Sequence, residues 1–126
     1  MAKILLVDDD PDFVDATKML LEHRGYEVVI AYDGIEGWEK VRKENPHLIV
    51  LDVMMPKKDG YEMCTELKGD PNYKDVPVIL LTAVGSYIPK TRYTTRQGME
   101  IEAEDYIDKP VEPPELVKRI EALLKK

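Results

Sequence analysis

Four short stretches of the chain hold residue types that could act together on one substrate: Asp8-Asp9-Asp10-Pro11, Leu51-Asp52-Val53-Met54-Met55-Pro56, Leu81-Thr82-Ala83 and Asp105-Tyr106-Ile107-Asp108-Lys109-Pro110. Each lies at the end of a short apolar run. If those runs are neighbouring strands, carboxylates, a hydroxyl and an ammonium converge on one edge. Crowded carboxylates repel, so such a cluster is held at neutral pH either by protons or by a cation in its midst. Mg2+ fits best, because it takes hard oxygen ligands from one or two carboxylates, keeps several waters and leaves room for phosphate oxygens. Thr82 and Lys109 would then donate to the remaining oxygens of a phosphoryl group. The chemistry suggested is phosphoryl transfer to a carboxylate.

The elements that must position these groups follow from the pattern of the chain. The runs Ile4 to Val7, Glu27 to Ala31, Leu48 to Val53, Val76 to Leu81 and Asp105 to Ile107 lack polar alternation, as strands of a parallel sheet buried on both faces do. Segments of helical spacing separate them. Phe13, Ala16 and Leu20, widened by Val14 and Leu21, predict a helix opened by Pro11 and closed near Gly25. Asp33 and Glu36 read as the N-cap and reciprocal partner of a second helix, in which Ile35, Trp38 and Val41 share a face until Asn45-Pro46. A third helix is predicted from Asp59-Gly60 to about Lys68, and a last one from Pro113 with Leu116, Val117, Ile120, Leu123 and Leu124 on one side. Strands alternating with helices in this way predict an open, three-layer α/β sandwich whose right-handed crossovers place helices on both faces. Ligands of such sheets bind outside the carboxyl ends of the strands, where strand order reverses.

Composition sets bounds. A chain of 126 residues is the size of one domain, taken here as 1–126. With 44% hydrophobic and 34% charged residues, it has enough apolar surface to bury and is not a disordered chain. The net charge of −7, from 18 Lys and Arg against 25 Asp and Glu, predicts no direct DNA binding and no membrane association. Cys64 is the one cysteine, so no intrachain disulfide forms, and no apolar run approaches the roughly 18 residues of a membrane span. A cytoplasmic protein is expected.

Taken together and in this order, the motifs resemble the response-regulator receiver domain of two-component signalling, over essentially the whole chain and with Asp59-Gly60 in place after the second of them. The resemblance implies a doubly wound, flavodoxin-like sheet of five parallel strands in the order 2-1-3-4-5. The chain would be a receiver of the stand-alone, single-domain type. Asp52 would be the phosphoacceptor, taking a phosphoryl group from the phosphohistidine of a sensor histidine kinase or from a phosphotransfer protein. Asp8, Asp9, Asp52 and the backbone carbonyl of Met54 would hold Mg2+. Thr82 matches the switch hydroxyl that moves to the phosphoryl oxygen, and Lys109 the lysine that pairs with the phosphoryl charge, with a cis bond to Pro110. Tyr106 matches the aromatic switch, which turns inward and alters the surface of the family's fourth helix, fifth strand and fifth helix for a downstream protein partner. Such a switch is not an enzyme beyond its own phosphorylation and autodephosphorylation.

Each residue also has a blander reading. Asp10 or Asp12 can cap the first helix; Asp52 can form a turn; Thr82, Lys109 and Tyr106 singly fit a strand residue, a surface charge and a core aromatic. Their mutual spacing favours the functional reading. A competing class is a Mg2+-dependent aspartate-nucleophile phosphatase built on the D-x-D of Asp8 and Asp10, which leaves Asp52 and Tyr106 without a role. A receiver fold used as a constitutive protein-binding module is a third. Cys64 reads as a buried hydrophobe, His23 and His47 as surface or capping residues, and Trp38 as packing of the second helix.

The chain also departs from the family's pattern. Lys109 follows Thr82 by 27 positions, a long interval, and Val84 to Glu102 holds Gly85, Pro89, Thr91, Thr94, Thr95 and Gly98. A short, displaced or partly disordered fourth helix is expected there. Lys90, Arg92 and Arg96, with Tyr87 and Tyr93, form a basic, aromatic stretch that predicts a partner-docking surface. Met54 and Val84 would border the path of an attacking water, and two apolar side chains there predict slow autodephosphorylation.

Overall fold

The tetrapeptides Ile4-Leu5-Leu6-Val7 and Leu48-Ile49-Val50-Leu51 have no polar side chain to offer water on either face, and they form the body of two enclosed strands, each of these residues at most 2% exposed. The computed structural model describes residues 2–53, 60–83 and 103–125. Along them run β1 (Lys3–Val7), α1 (Pro11–His23), β2 (Glu27–Ala31), α2 (Gly34–Glu44), β3 (Leu48–Asp52), α3 (Gly60–Lys68), β4 (Val78–Ala83), β5 (Asp105–Lys109) and the C-terminal helix α4 (Pro113–Leu124). The strands form one parallel sheet in the order β2-β1-β3-β4-β5. Met54, Asp59 and Val84 to Glu102, with Lys90, Arg92, Arg96, Tyr87 and Tyr93, lie outside the described residues.

Side chains alternate between the two faces of the sheet, as the period of a strand requires. Ile4, Leu6, Leu48, Val50, Ile79, Leu81 and Ile107 pack with α1 and α4, while Leu5, Val7, Ile49, Leu51, Val78 and Leu80 pack with α2 and α3. Chain order reverses between β1 and β3, so the carboxyl ends of those strands open a crevice at the switch point.

Caps explain where the helices begin. Asp10 closes the first turn of α1 by accepting from the backbone N–H groups of Asp12 (3.1 Å) and Phe13 (3.3 Å), with Pro11 next to it. Gly25, at φ +95°, takes the left-handed turn that follows. At α2 Asp33 accepts from Glu36 N at 2.8 Å, but Glu36 reaches back to Tyr32 N (2.9 Å) rather than to its capping partner.

The helical faces differ from their predicted stripes in two places. In α1 the buried positions are Val14, Thr17 and Leu21, with Phe13 and Leu20 half-buried and Ala16 exposed. A threonine thus occupies a core position, and its Oγ1 is buried with no hydrogen-bond partner among the described residues. Such a hydroxyl carries a desolvation cost of roughly 1–3 kcal/mol. Thr17→Val keeps the β-branched shape at equal helix propensity and is expected to stabilise the fold by about 1 kcal/mol, a midpoint rise of roughly 3–6 °C. A midpoint that falls in calorimetry would show that the hydroxyl has a partner. In α2 the close approach to the sheet is made by Gly34, Gly37 and Val41; a Cβ on Gly37 would meet Met63 at 3.1 Å and Val7 at 3.2 Å. Ile35 is thereby turned outward and is 52% exposed.

Two strands extend differently from their apolar runs. β4 begins at Val78, after Pro77, and continues through Thr82 to Ala83, while β5 continues past Ile107 to Lys109. The chain enters β5 through Glu104, whose Oε1 accepts from Val78 N at 2.7 Å and from Lys68 Nζ at 3.0 Å. Lys68 also donates to the carbonyls of Lys74 and Val76, tying the end of α3 to the start of β4 and β5.

Candidate functional site

β1 and β3 deliver the acidic groups to the switch point. Asp8 follows β1 and is 2% exposed, Asp52 is the last residue of β3 and 3% exposed, and Asp9 stands outside them in solvent. One carboxylate oxygen from each of Asp8, Asp9 and Asp52 lies within 4.8 Å of the others. Asp8 is oriented by Asp10 N, which donates to its Oδ1 at 2.9 Å. Its other oxygen, Oδ2, is fully enclosed and has no aligned hydrogen bond among the described residues, though the Lys109 ammonium lies 2.9 Å away.

Lys109 reaches in from the end of β5. Its Nζ is 2.9 Å from Asp8 Oδ2 and 3.4 Å from Asp52 Oδ2, and it rests 5.3 Å from the centre of the Phe13 ring. Burial works to lower the pKa of this ammonium, but the contact with Asp8 and the charges of Asp8 and Asp52 outweigh it and hold Lys109 above its usual value. The Lys109–Pro110 peptide bond is cis.

Thr82 and Tyr106 complete the set. Thr82 is the register partner of Asp108 on the neighbouring strand, and its hydroxyl donates to Asp108 Oδ1, with a second contact of 3.4 Å to the Ile107 carbonyl. Tyr106 is half-buried against the cluster that α2 and α3 cover. Asp8, Asp9, Asp52 and Lys109 are therefore gathered at one point, with Thr82 facing the adjacent strand; Met54 lies outside the described residues. Asp10 is engaged in capping α1, which leaves the D-x-D reading of Asp8 and Asp10 with one carboxylate.

Other residues take structural roles. His47 Nδ1 accepts from Lys3 N at 2.9 Å, and His23 lies exposed in the last turn of α1. A cleft of about 570 Å3 lies between α2 and the turn after α3, away from the acidic edge. In it Trp38 meets Tyr73 edge-on with ring centres 5.7 Å apart, donates from Nε1 to Glu66 at 2.6 Å, and carries the Arg42 guanidinium 5.0 Å above its ring. Cys64 is fully buried, and burial pushes its thiol up to about 12. Neutral at pH 8, it is expected to resist thiol reagents in the native protein and to react on unfolding. Fast labelling in the absence of denaturant would show the site to be open.

Sequence reasoning missed Asp108, the acceptor of the Thr82 proton, and Arg119, which grips Asp105 through Nε at 2.8 Å and Nη2 at 3.1 Å. The Glu115/Arg119 spacing of four was a readable signal. Asp108 gave none, since its partner is set by the pairing of β4 with β5.

A doubly wound sheet in this strand order, with paired buried carboxylates and a lysine at its switch point, defines a class, that of the receiver-like α/β folds. The model of the response regulator receiver domain matches residues 4–121, and the chain belongs to that family. A putative response regulator from Chloroflexus aurantiacus J-10-fl superposes with a TM-score of 0.83 at 34% identity, covering 99% of this chain and 98% of that one. The receiver domain of sensor histidine kinase PA1611 from Pseudomonas aeruginosa PAO1, which has a magnesium ion coordinated in its active-site cleft, does so at 0.80 and 27%, covering 99% and 98%. Members of the family are regulators of two-component signalling rather than classical enzymes.

Among curated proteins, the DNA-binding dual master transcriptional regulator RpaA of Synechocystis is 40% identical over 126 residues, which is all of this chain and 50% of RpaA. The chain spans about half the length of the curated relatives it matches, so the stand-alone type gains no support from them. The expectation of no direct DNA binding is overturned, because a relative that matches this chain over its whole length is a DNA-binding transcriptional regulator. Net charge describes the receiver's own surface, and half of that relative lies beyond the matched stretch. Among the described residues no helix is long and apolar enough to cross a membrane.

Proposed function

We propose that residues 1–126 act as one receiver domain, a phosphorylation-activated switch in the cytoplasm that accepts a phosphoryl group on Asp52. The observation that carries this reading is the buried Asp8 and Asp52 pair, with Asp9 beside it and the Lys109 ammonium against both. An oxygen of Asp52 attacks phosphorus in line; the new O–P bond forms as the P–N bond of a kinase or phosphotransfer-protein phosphohistidine breaks, and the imidazole leaves with a proton. Asp8, Asp9 and Asp52, with the Met54 carbonyl, would hold Mg2+, and the converging hard oxygen donors fit that ion. Bound there, Mg2+ supplies charge neutralisation for the phosphoryl oxygens. Lys109 then pairs with the phosphoryl group, the Thr82 hydroxyl donates to it, and Tyr106 turns inward to alter the surface around β5 and the C-terminal helix. Because relatives are transcriptional regulators, the output that this surface controls is transcription.

The test is incubation with Mg2+ and a small phosphodonor, followed by mass mapping. A single adduct on Asp52, removed by hydroxylamine and absent with EDTA, is expected. Donor turnover without an Asp52 adduct would replace this reading with a phosphatase.

A further inference from the structure

The hydroxyl that must reach the phosphoryl group is already committed elsewhere. Thr82 Oγ1 has one proton, and in this structure that proton goes to the carboxylate of Asp108. The pairing is built into the sheet, because Thr82 and Asp108 are opposite one another in the β4·β5 register and sit side by side. Among the described residues its one other acceptor is the Ile107 carbonyl, at a long 3.4 Å. Asp108 is exposed, and it directly precedes Lys109, the residue that holds Asp8 and Asp52.

We infer that Asp108 is a positioning residue that sets the threshold of the switch by holding the Thr82 hydroxyl away from the phosphoryl site. The inference rests on the proposed phosphoacceptor role of Asp52. A hydroxyl donating to an ionised acceptor is held more firmly than one donating to a neutral group or to water. A phosphoryl group on Asp52 recruits Thr82 only by the difference between its own bond to that hydroxyl and the one Asp108 already makes. Removing the acceptor takes away the off-state bond and leaves the on-state bond untouched. Coupling of this kind changes affinity by about 5- to 150-fold, and an exposed acceptor with which water competes belongs at the lower end.

The probe is beryllium fluoride with Mg2+, a phosphoryl mimic that binds the acceptor carboxylate, titrated into the full chain and followed by calorimetry. Asp108→Ala is expected to tighten its apparent binding about tenfold, with Asp108→Asn, a neutral acceptor, in between and Asp108→Glu close to the parent. In a Thr82→Val background the Asp108 substitutions are expected to be silent, since the hydroxyl they release is gone. Unchanged affinity in Asp108→Ala, or an equal gain with and without the Thr82 hydroxyl, overturns the inference; the second result would mark Asp108 as a charge acting on the anion directly. Failure of the parent protein to bind the mimic or to form an Asp52 adduct overturns the receiver reading instead, so the two failures are distinct.

Discussion

Asp52→Asn is expected to leave the chain folded, to abolish the phosphoryl adduct below detection, and to raise the unfolding midpoint in metal-free buffer. Loss of the adduct follows from chemistry, because an amide oxygen is a far weaker nucleophile than a carboxylate and asparagine fills the same volume. The gain in stability follows from the charges. At an effective dielectric of about 20, the attraction of Lys109 for Asp52 at 3.4 Å is about 5 kcal/mol, and the repulsion from Asp8 within 4.8 Å, about 3.5 kcal/mol or more, offsets most of it. The desolvation of a carboxylate that is 3% exposed costs several kcal/mol, and Asp9 adds further repulsion. Neutralising Asp52 keeps the shorter 2.9 Å pair between Lys109 and Asp8. A net stabilisation of about 1 kcal/mol or more in EDTA is expected. Mg2+, which stabilises the parent by binding the folded carboxylates, is expected to have little effect on the variant. Calorimetry with and without Mg2+, beside mass mapping, reads all three quantities. A variant that still forms the adduct, or that Mg2+ stabilises as much as the parent, would remove Asp52 from the centre of the site.

The chemistry of the site was legible because it is written at strand ends. Val7 to Asp8 and Leu51 to Asp52 are abrupt changes from fully buried apolar residues to carboxylates, and a parallel sheet brings such changes to one edge whatever the helices do. The helices were less legible in detail. Thr17 is buried where Ala16 was expected, since a helical stripe read from residue type passes over a polar side chain that packing accepts. Ile35 faces solvent because α2 meets the sheet through Gly34 and Gly37, which have no apolar side chain to register in a pattern. Thr82 was identified as a donor, yet its present acceptor depends on the pairing of β4 with β5 across 26 positions of chain. Pairing between distant strands leaves no periodic trace. DNA binding in RpaA was illegible for another reason: charge on the matched stretch carries no information about the half of RpaA that lies outside it.

Gly60→Ala is expected to be the most damaging single methyl addition among the described glycines, and to damage both fold and chemistry. α3 begins at Gly60, directly against the carboxyl end of β3. A Cβ there would lie 2.6 Å from the Asp52 carbonyl oxygen, 2.9 Å from Val53 Cα and 3.0 Å from the Asp52 carbonyl carbon. All three are backbone atoms, so no side-chain rotation relieves the contact. Either α3 withdraws, carrying buried Tyr61, Met63, Cys64 and Leu67 with it, or the end of β3 bends and carries Asp52. Overpacking of this kind costs about 1–3 kcal/mol or more, against roughly 1 kcal/mol that alanine regains in helix propensity. A net loss of about 2 kcal/mol is expected, a midpoint fall of roughly 6–12 °C. The chemical effect is larger, since moving a reacting group by ~1 Å can lower a rate about 100-fold. Gly69→Ala is the matched control, for its Cβ would meet only the Thr65 and Glu66 carbonyl oxygens, at 3.4 and 3.8 Å. Both variants are compared by calorimetry and by the initial rate of Asp52 phosphorylation from a small donor. If Gly60→Ala matches Gly69→Ala in both, the contact between α3 and the end of β3 does not position Asp52.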